Sequence, residues 1–237
     1  MSSQNTKSPQ HIAIIMDGNR RWAKMHKLEM LKGHEYVVNR CVEPLVDHCI
    51  KLGIPYLTLW AFSTENWQRD KQEVEGMMQL FRRAFERKAE DLHRKGVRLN
   101  VVGDLAKFPE DIKKNAAQWI EISKPNTKIT VSFALNYGGR EELLQAINKL
   151  MIEKCQMFDS EKLSSGSDLE KYLYTNNIPD PDLIIRPGGQ KRLSGFMPWQ
   201  SVYSELYFTD VLMPDFTPAE LDKALEDYAS RQRRFGK

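Results

Sequence analysis

Asp17 stands in the run Met16-Asp17-Gly18-Asn19-Arg20-Arg21-Trp22, which places one carboxylate beside a glycine, an amide and two guanidinium groups. Gly18 lets the backbone turn tightly and approach a ligand. Asn19 suits the cap of a following helix, whose free N–H groups and dipole favour an anion. Arg20 and Arg21 add fixed positive charge matched to phosphate. The Asp17 carboxylate would repel such a ligand unless a cation bridges them, and Mg²⁺ shared with diphosphate oxygens removes the conflict. The alternative is that Asp17 only pairs with an arginine or caps the helix.

The run Arg186-Pro187-Gly188-Gly189-Gln190-Lys191-Arg192-Leu193-Ser194 repeats the pattern with two glycines, three basic side chains and a hydroxyl. Taken alone it reads as a basic turn on a solvated face rather than an anion site. Two such runs in one chain suggest two phosphorylated substrates, or one substrate with two anionic ends. A third run, Ser63-Thr64-Glu65-Asn66-Trp67-Gln68-Arg69, adds hydroxyls, an amide and an arginine. His34 after Gly33 either binds phosphate or caps a helix, and Glu205 is either a second metal ligand or an edge charge. The five histidines show no HExxH spacing, so nothing supports zinc. A GxGxxG fingerprint, a P-loop and a Ser-His-Asp arrangement are all absent.

These runs follow short apolar segments that read as buried strands: 11–15, 56–62, 97–102, 129–135 and 183–185, with 205–208 as a weaker sixth. Helical periodicity fills the gaps. Val38, Cys41, Val42, Leu45, Cys49 and Leu52 form one stripe, which Pro44 is expected to kink; Val74, Met77, Met78, Phe81 and Phe85 form another. Both stripes read as core. Further helices are expected near 110–122, 140–156 and 218–233. The βαβ alternation predicts one α/β domain over 11–237, with a mostly parallel sheet of about six strands flanked by helices. In such sheets ligands bind beyond the carboxyl ends of the strands, which is where the polar runs fall.

The 237 residues suit one domain, and 41% hydrophobic with 28% charged residues excludes wholesale disorder. A net charge of +3 without a basic block argues against a general nucleic-acid binder. Cys41, Cys49 and Cys155 form no CxxC pair, as expected of a reduced cytoplasmic protein. No apolar run reaches the roughly 18–20 residues of a transmembrane segment, and residues 1–10 read as a polar, disordered tail without a signal peptide.

Longer motifs carry a family resemblance. His11 to Ala23, Ala-Phe-Ser-Thr-Glu-Asn-Trp at 61–67, Asn-Tyr-Gly-Gly-Arg at 136–140, Glu-Leu-Tyr-Phe-Thr-Asp at 205–210 and Arg-Arg-Phe-Gly at 233–236 resemble the cis-prenyltransferases, the undecaprenyl diphosphate synthase family. The resemblance runs from about His11 to Gly236. It implies a homodimer that uses Mg²⁺ and two isoprenoid diphosphates, such as dimethylallyl and isopentenyl diphosphate. Asp17 matches the aspartate that brings magnesium to the allylic diphosphate, and Gly18, Asn19, Arg20, Arg21, Trp22 and His34 match its cradle. Asn66 matches a residue proposed to help remove the proton, beside the substrate-contacting Ser63, Thr64, Glu65, Trp67 and Arg69. Arg186, Arg192, Leu193 and Ser194 match the second diphosphate site. Glu205 matches a metal ligand, and Arg234 a tail arginine that reaches the neighbouring subunit.

Four positions depart from the pattern of chain-elongating members. Gln190 replaces a glutamate, Pro187 a threonine or serine, Gly195 an asparagine, and Met30 an arginine. The Arg-Pro-Gly-Gly-Gln loop looks like that of the lavandulyl and cyclolavandulyl diphosphate synthases, which join two dimethylallyl diphosphates head-to-middle. The resemblance thus implies irregular coupling to a branched or cyclised ten-carbon diphosphate first, with regular cis-elongation by isopentenyl diphosphate as the alternative.

Overall fold

Every residue of the first strand, β1 (His11–Ile15), is buried, so its side chains pack on both faces of a sheet and leave no polar alternation in the sequence. The structure is a computed structural model that describes residues 8–156 and 166–231. Five more strands join β1: β2 (Tyr56–Ser63), β3 (Val97–Val102), β4 (Ile129–Tyr137), β5 (Leu183–Arg186) and β6 (Glu205–Phe208). All pairings are parallel, in the order β3-β4-β2-β1-β5-β6. The six strands match the expected segments, with β2, β4 and β5 running one or two residues further. From β1 the chain first builds outward on one side and later returns to the other. The crevice between the carboxyl ends of β1 and β5 is therefore a topological switch point.

Helices cover both faces. In chain order they are α1 (Asn19–Met25), α2 (Met30–Tyr36), α3 (Val42–Lys51), α4 (Lys71–Arg83), α5 (Ala89–Arg94), α6 (Glu110–Ser123), α7 (Gly139–Gln156), α8 (Gly166–Glu170) and α9 (Pro218–Ser230). Ile12, Ile14, Leu57, Leu59, Leu183 and Ile185 pack with α3 and α9 on one face; Ala13, Ile15 and Ile184 meet Phe196 and Met197 on the other. Met77, Met78 and Phe81 of α4 join Phe62 and Phe108 in a third cluster, as the stripe predicts. The kink expected at Pro44 takes another form. The helical run continues from α2 into α3 through a π-turn at Val37–Cys41, where Val42 N–H donates to Val37 O, so one extra residue in the turn replaces a break. A second π-turn, Ala84–Lys88, joins α4 to α5.

Of the expected tail, residues 1–7 lie outside the described part. Pro9 is buried, and Gln10 N–H donates to Asp182 Oδ2 at 2.7 Å. No helix among the described residues is long and apolar enough to cross a membrane.

Candidate active site

The turn after β1 delivers Asp17 to the switch point. Its N–H donates to Ile15 O at 2.8 Å, and Gly18 takes the left-handed conformation, φ 106°. Gly18, not Asn19, caps α1. The Asn19 amide instead donates to Met16 O (3.1 Å) and to His34 Nδ1 (3.2 Å), so it ties α1 to α2.

Asp17 is held from two sides. Arg186, at the end of β5 and 5% exposed, donates through NH2 to Asp17 Oδ2 at 2.9 Å, and Arg21 NH2 lies 3.3 Å from Oδ1. Arg186 NH1 also donates to Ser194 Oγ at 2.8 Å and to Arg192 O. The loop after β5 can come this close because residue 188 lacks a side chain: a Cβ there would sit 2.6 Å from Arg21 NH2. The two anion-type runs are therefore one site with Asp17 between their arginines. Gln190 Oε1 accepts from Arg192 NH1 at 2.6 Å.

An open cleft of about 770 Å³ extends from Asp17 along α1 and α2, lined by Gly18, Asn19, Arg20, Arg21, His34 and Arg69 among others. Glu73 of α4 organises its cations: its Oε1 accepts from Arg69 NH1 at 2.9 Å and lies 3.7 Å from Arg20 Nε. Glu73 was not singled out in the sequence; Arg69 lies in extended backbone just before α4, so no helical spacing links the two. Lys24, which also lines the cleft, follows Arg20 one turn later on α1.

His34 lies within α2 and caps nothing. Burial, with Arg69 and Arg20 nearby, lowers its pKa to about 4. It is thus neutral at pH 7, and because Nδ1 accepts from Asn19 the proton resides on Nε2, which has no protein partner. Arg186 Nε is likewise a buried donor without an acceptor. Unused donors around a cationic cleft are what an oxyanion ligand would satisfy.

His11 is also buried and neutral, with its pKa lowered to about 4; Nδ1–H donates to Pro179 O and Nε2 accepts from Thr58. An unfolded histidine titrates near 6.5, so the unfolded chain binds more protons below that pH. Each imidazole contributes stability that is complete above pH 6.5 and lost as the pH falls toward 4, on the order of 3 kcal/mol apiece. Urea unfolding is expected to show a falling midpoint from pH 7 to 4.5; a midpoint flat across that range would refute the neutral assignments.

Several expected contacts fall elsewhere. Trp22 packs inward against His26 and Tyr36, and its Nε1–H donates to Asp215 Oδ1 at 2.8 Å. Leu193 packs beneath its loop on the cluster that contains Phe196. Ser63 and Asn66 form a reciprocal cap, with Ser63 N–H donating to Asn66 Oδ1 at 2.9 Å, and neither lines the Asp17 cleft. Thr64 and Glu65 face a separate cleft beside Asp104 and Asn136, and Trp67 packs with Phe62 and Phe108. Only Arg69 of that run reaches Asp17's cleft. Glu205 opens β6 in register with Leu183, whereas Arg186 pairs with Phe208 at the other end. Its carboxylate accepts from Arg231 NH1 at 2.8 Å, so the fold does not bring it to Asp17 within one chain. Arg234 lies outside the described residues.

Met16 has a second neighbour. An apolar cavity of about 80 Å³ is lined by its side chain together with Val42, Phe81, Phe85, Leu99 and Trp119 of the sheet and helices. Both π-turns contribute to its wall, through Val38 on one side and Ala84, Phe85 and Lys88 on the other. The cavity is smaller than the roughly 150 Å³ that accepts one benzene, so a larger apolar guest requires the wall to move.

A family model described as putative undecaprenyl diphosphate synthase matches residues 15–236. The chain is 46% identical to an isoprenyl transferase of Clostridium perfringens over 231 residues, covering 97% of this chain and 90% of that protein. It is 43% identical to an isoprenyl transferase of Neisseria meningitidis, covering 99% and 92%. Among solved structures, lavandulyl diphosphate synthase from Lavandula x intermedia, in complex with dimethylallyl diphosphate, superposes with a TM-score of 0.91 at 33% identity, covering 97% of this chain and 99% of that one. A probable undecaprenyl diphosphate synthase from Campylobacter jejuni gives 0.79 at 30% identity, covering 98% and 100%.

Proposed function

Because the chain belongs to the undecaprenyl diphosphate synthase family and is an isoprenyl transferase, we propose that it extends an allylic diphosphate by cis addition of isopentenyl diphosphate. The observation that carries this reading is Met16, which lines both the cationic cleft and the apolar cavity. One residue away from Asp17, an anionic head and a hydrocarbon tail each find a matching surface.

Arg20 and Arg69, held by Glu73, bind the allylic diphosphate, and His34 Nε2–H donates to one of its oxygens. Arg186, Arg192 and Ser194 hold the second diphosphate across Asp17. Among the described residues no group of three His, Cys, Asp or Glu side chains forms a metal site, so the protein would hold Mg²⁺ only together with diphosphate oxygens. Asp17 fits that task, as a single carboxylate whose two oxygens now face arginines. When bound, Mg²⁺ neutralises charge on the departing diphosphate. The allylic C–O bond breaks, and apolar side chains beside Met16 shield the cation from water. The double bond of the second substrate attacks it, and the proton passes to a diphosphate oxygen. The Asn66 amide, its Oδ1 engaged by Ser63 N–H, is a far weaker base.

A second copy of the chain would cover Leu144, Ile147 and Met151, an exposed apolar stripe on α7. The buried free thiols Cys41 and Cys49 suit a reduced cytoplasmic setting.

Irregular coupling stands second, the reverse of the order expected from the loop residues. Relatives called isoprenyl transferases at 42–46% identity favour elongation. The Gln190–Arg192 hydrogen bond, in a loop that lacks the usual carboxylate, and the likeness to the lavandulyl enzyme favour coupling. Two incubations with Mg²⁺ separate them, followed by dephosphorylation and gas chromatography–mass spectrometry. Linear cis-prenols formed only when isopentenyl diphosphate is added support elongation; a branched or cyclic ten-carbon alcohol from dimethylallyl diphosphate alone overturns it. Pro187→Thr with Gln190→Glu is expected to raise the preference for isopentenyl over dimethylallyl diphosphate as second substrate severalfold. An unchanged substrate ratio would free these positions from that role.

A further inference from the structure

Asn136-Tyr137-Gly138-Gly139-Arg140 belongs to neither diphosphate run; the end of β4 and the start of α7 bring it between the Ser63–Arg69 run and the chain that follows Ser194. On one side, Asn136, with φ +46°, accepts from Trp67 Nε1–H at 2.8 Å, and a Cβ on Gly138 would lie 2.5 Å from Thr64 Oγ1. On the other, Gly139 N–H donates to Gly195 O at 2.9 Å, and a Cβ there would lie 2.0 Å from Pro198 Cδ. The turn thus touches both the Ser63–Arg69 run and the chain that follows Ser194; a side chain at 138 would displace those of Thr64 and Glu141, and one at 139 has no room against Pro198 and the Gly195 carbonyl.

Glu142, one turn into α7 and 1% exposed, completes the second contact. Its Oε2 accepts from Tyr137 OH at 2.6 Å and from Gln200 Nε2 at 3.0 Å, while Oε1 accepts from Tyr174 N–H at 3.0 Å. Three separate segments therefore converge on one buried carboxylate. Between Arg192 and Gln200 the backbone places Ser194 and Met197 at φ +53° and +49°, a conformation that non-glycine residues keep only when their surroundings enforce it. Phe196, stacked on Trp60 at 4.9 Å and edge-on to Tyr137 at 5.8 Å, supplies part of that enforcement. The Gln200–Glu142 hydrogen bond closes the far end.

We propose that the turn 136–142 sets the spacing between the Ser63–Arg69 run and the loop after β5, and that Glu142 is a positioning residue for the Arg192–Ser194 side. The effect on substrate rests on the reading that this side holds the second diphosphate. In Glu142→Ala, the KM of whichever second substrate the wild type uses, isopentenyl or dimethylallyl diphosphate, is expected to rise at least tenfold, with the allylic KM within twofold. Hydrogen exchange at amides 193–200 is expected to accelerate about as much, with 63–69 unchanged. Glu142→Gln is expected to restore both, since Gln200 Oε1 has no partner now and its amide can turn to accept. Gln200→Leu removes the loop side of the contact, together with the Gln200–Thr175 hydrogen bond, and is read in the same way if Glu142→Ala does not fold. Equal shifts in both KM values, unchanged exchange at 193–200, or failure of Glu142→Gln to rescue would overturn the proposal. A wild type inactive with both second substrates would refute the functional reading instead, and the exchange data would still decide the positioning role.

Discussion

Asp17→Asn is expected to lower turnover at least a thousandfold while the fold stays intact. The substitution removes one negative charge and almost no volume. Arg186 NH2, now 2.9 Å from Oδ2, still finds an acceptor in the amide oxygen. The variant loses the anionic oxygen that would share Mg²⁺ with a diphosphate, and the several kcal/mol of charge stabilisation that such an ion supplies correspond to a factor of about 10³ or more. Asp17→Ala is a less clean experiment. It would leave Arg186, 5% exposed, without its carboxylate, and unpaired buried charge typically costs about 3–5 kcal/mol. Steady-state rates with Mg²⁺ beside melting curves for both variants test the account. Asp17→Asn with near-normal turnover would remove Asp17 from the metal role.

Arg186→Ala is expected to cost about a hundredfold to a thousandfold in turnover and, unlike Asp17→Asn, several degrees of melting temperature. The guanidinium fork ties Asp17, Ser194 and the Arg192 carbonyl together. Truncating one member of a buried, hydrogen-bonded charge pair typically costs about 2–5 kcal/mol, much of it from the groups left unpaired. Arg186→Lys should recover little, because a point charge cannot span three acceptors set at different angles. If Arg186→Lys restored wild-type rates, charge alone would suffice at that position and the fork would be incidental.

The strands were legible because a parallel sheet buried on both faces writes continuous apolar runs, and β1 and β3 have the expected bounds. Asp17 and Arg186 were legible as anion-type residues, but their direct contact was not, since it depends on β1 and β5 being neighbours across 169 positions of chain. Glu73 escaped notice because a glutamate on a helix ordinarily faces solvent; Arg69 is its neighbour along the chain, and only the fold adds Arg20 of α1. An apolar residue inside a polar run fits equally well against a ligand or against the core: within the chain Trp22 is buried, and Leu193 is half-buried against the Phe196 cluster. For Glu205 the motif gives a residue type but not its surroundings: within one chain its carboxylate lies at the start of its strand and accepts from Arg231, while β6's far end pairs with Arg186.

The placement of β1 also bears on how the molecule is made. The first of the described strands is an interior one, and its second neighbour, β5, begins at Leu183. At about 5–20 residues per second on the ribosome, the edge that β5 will cover stays open for roughly 10–30 s after β1 emerges. That edge is a strand apolar at every position after His11, with unpaired backbone groups, the kind of surface on which nascent chains associate with one another. Expression yield should therefore respond more to slow synthesis or truncation before residue 183 than to changes anywhere in the catalytic cleft.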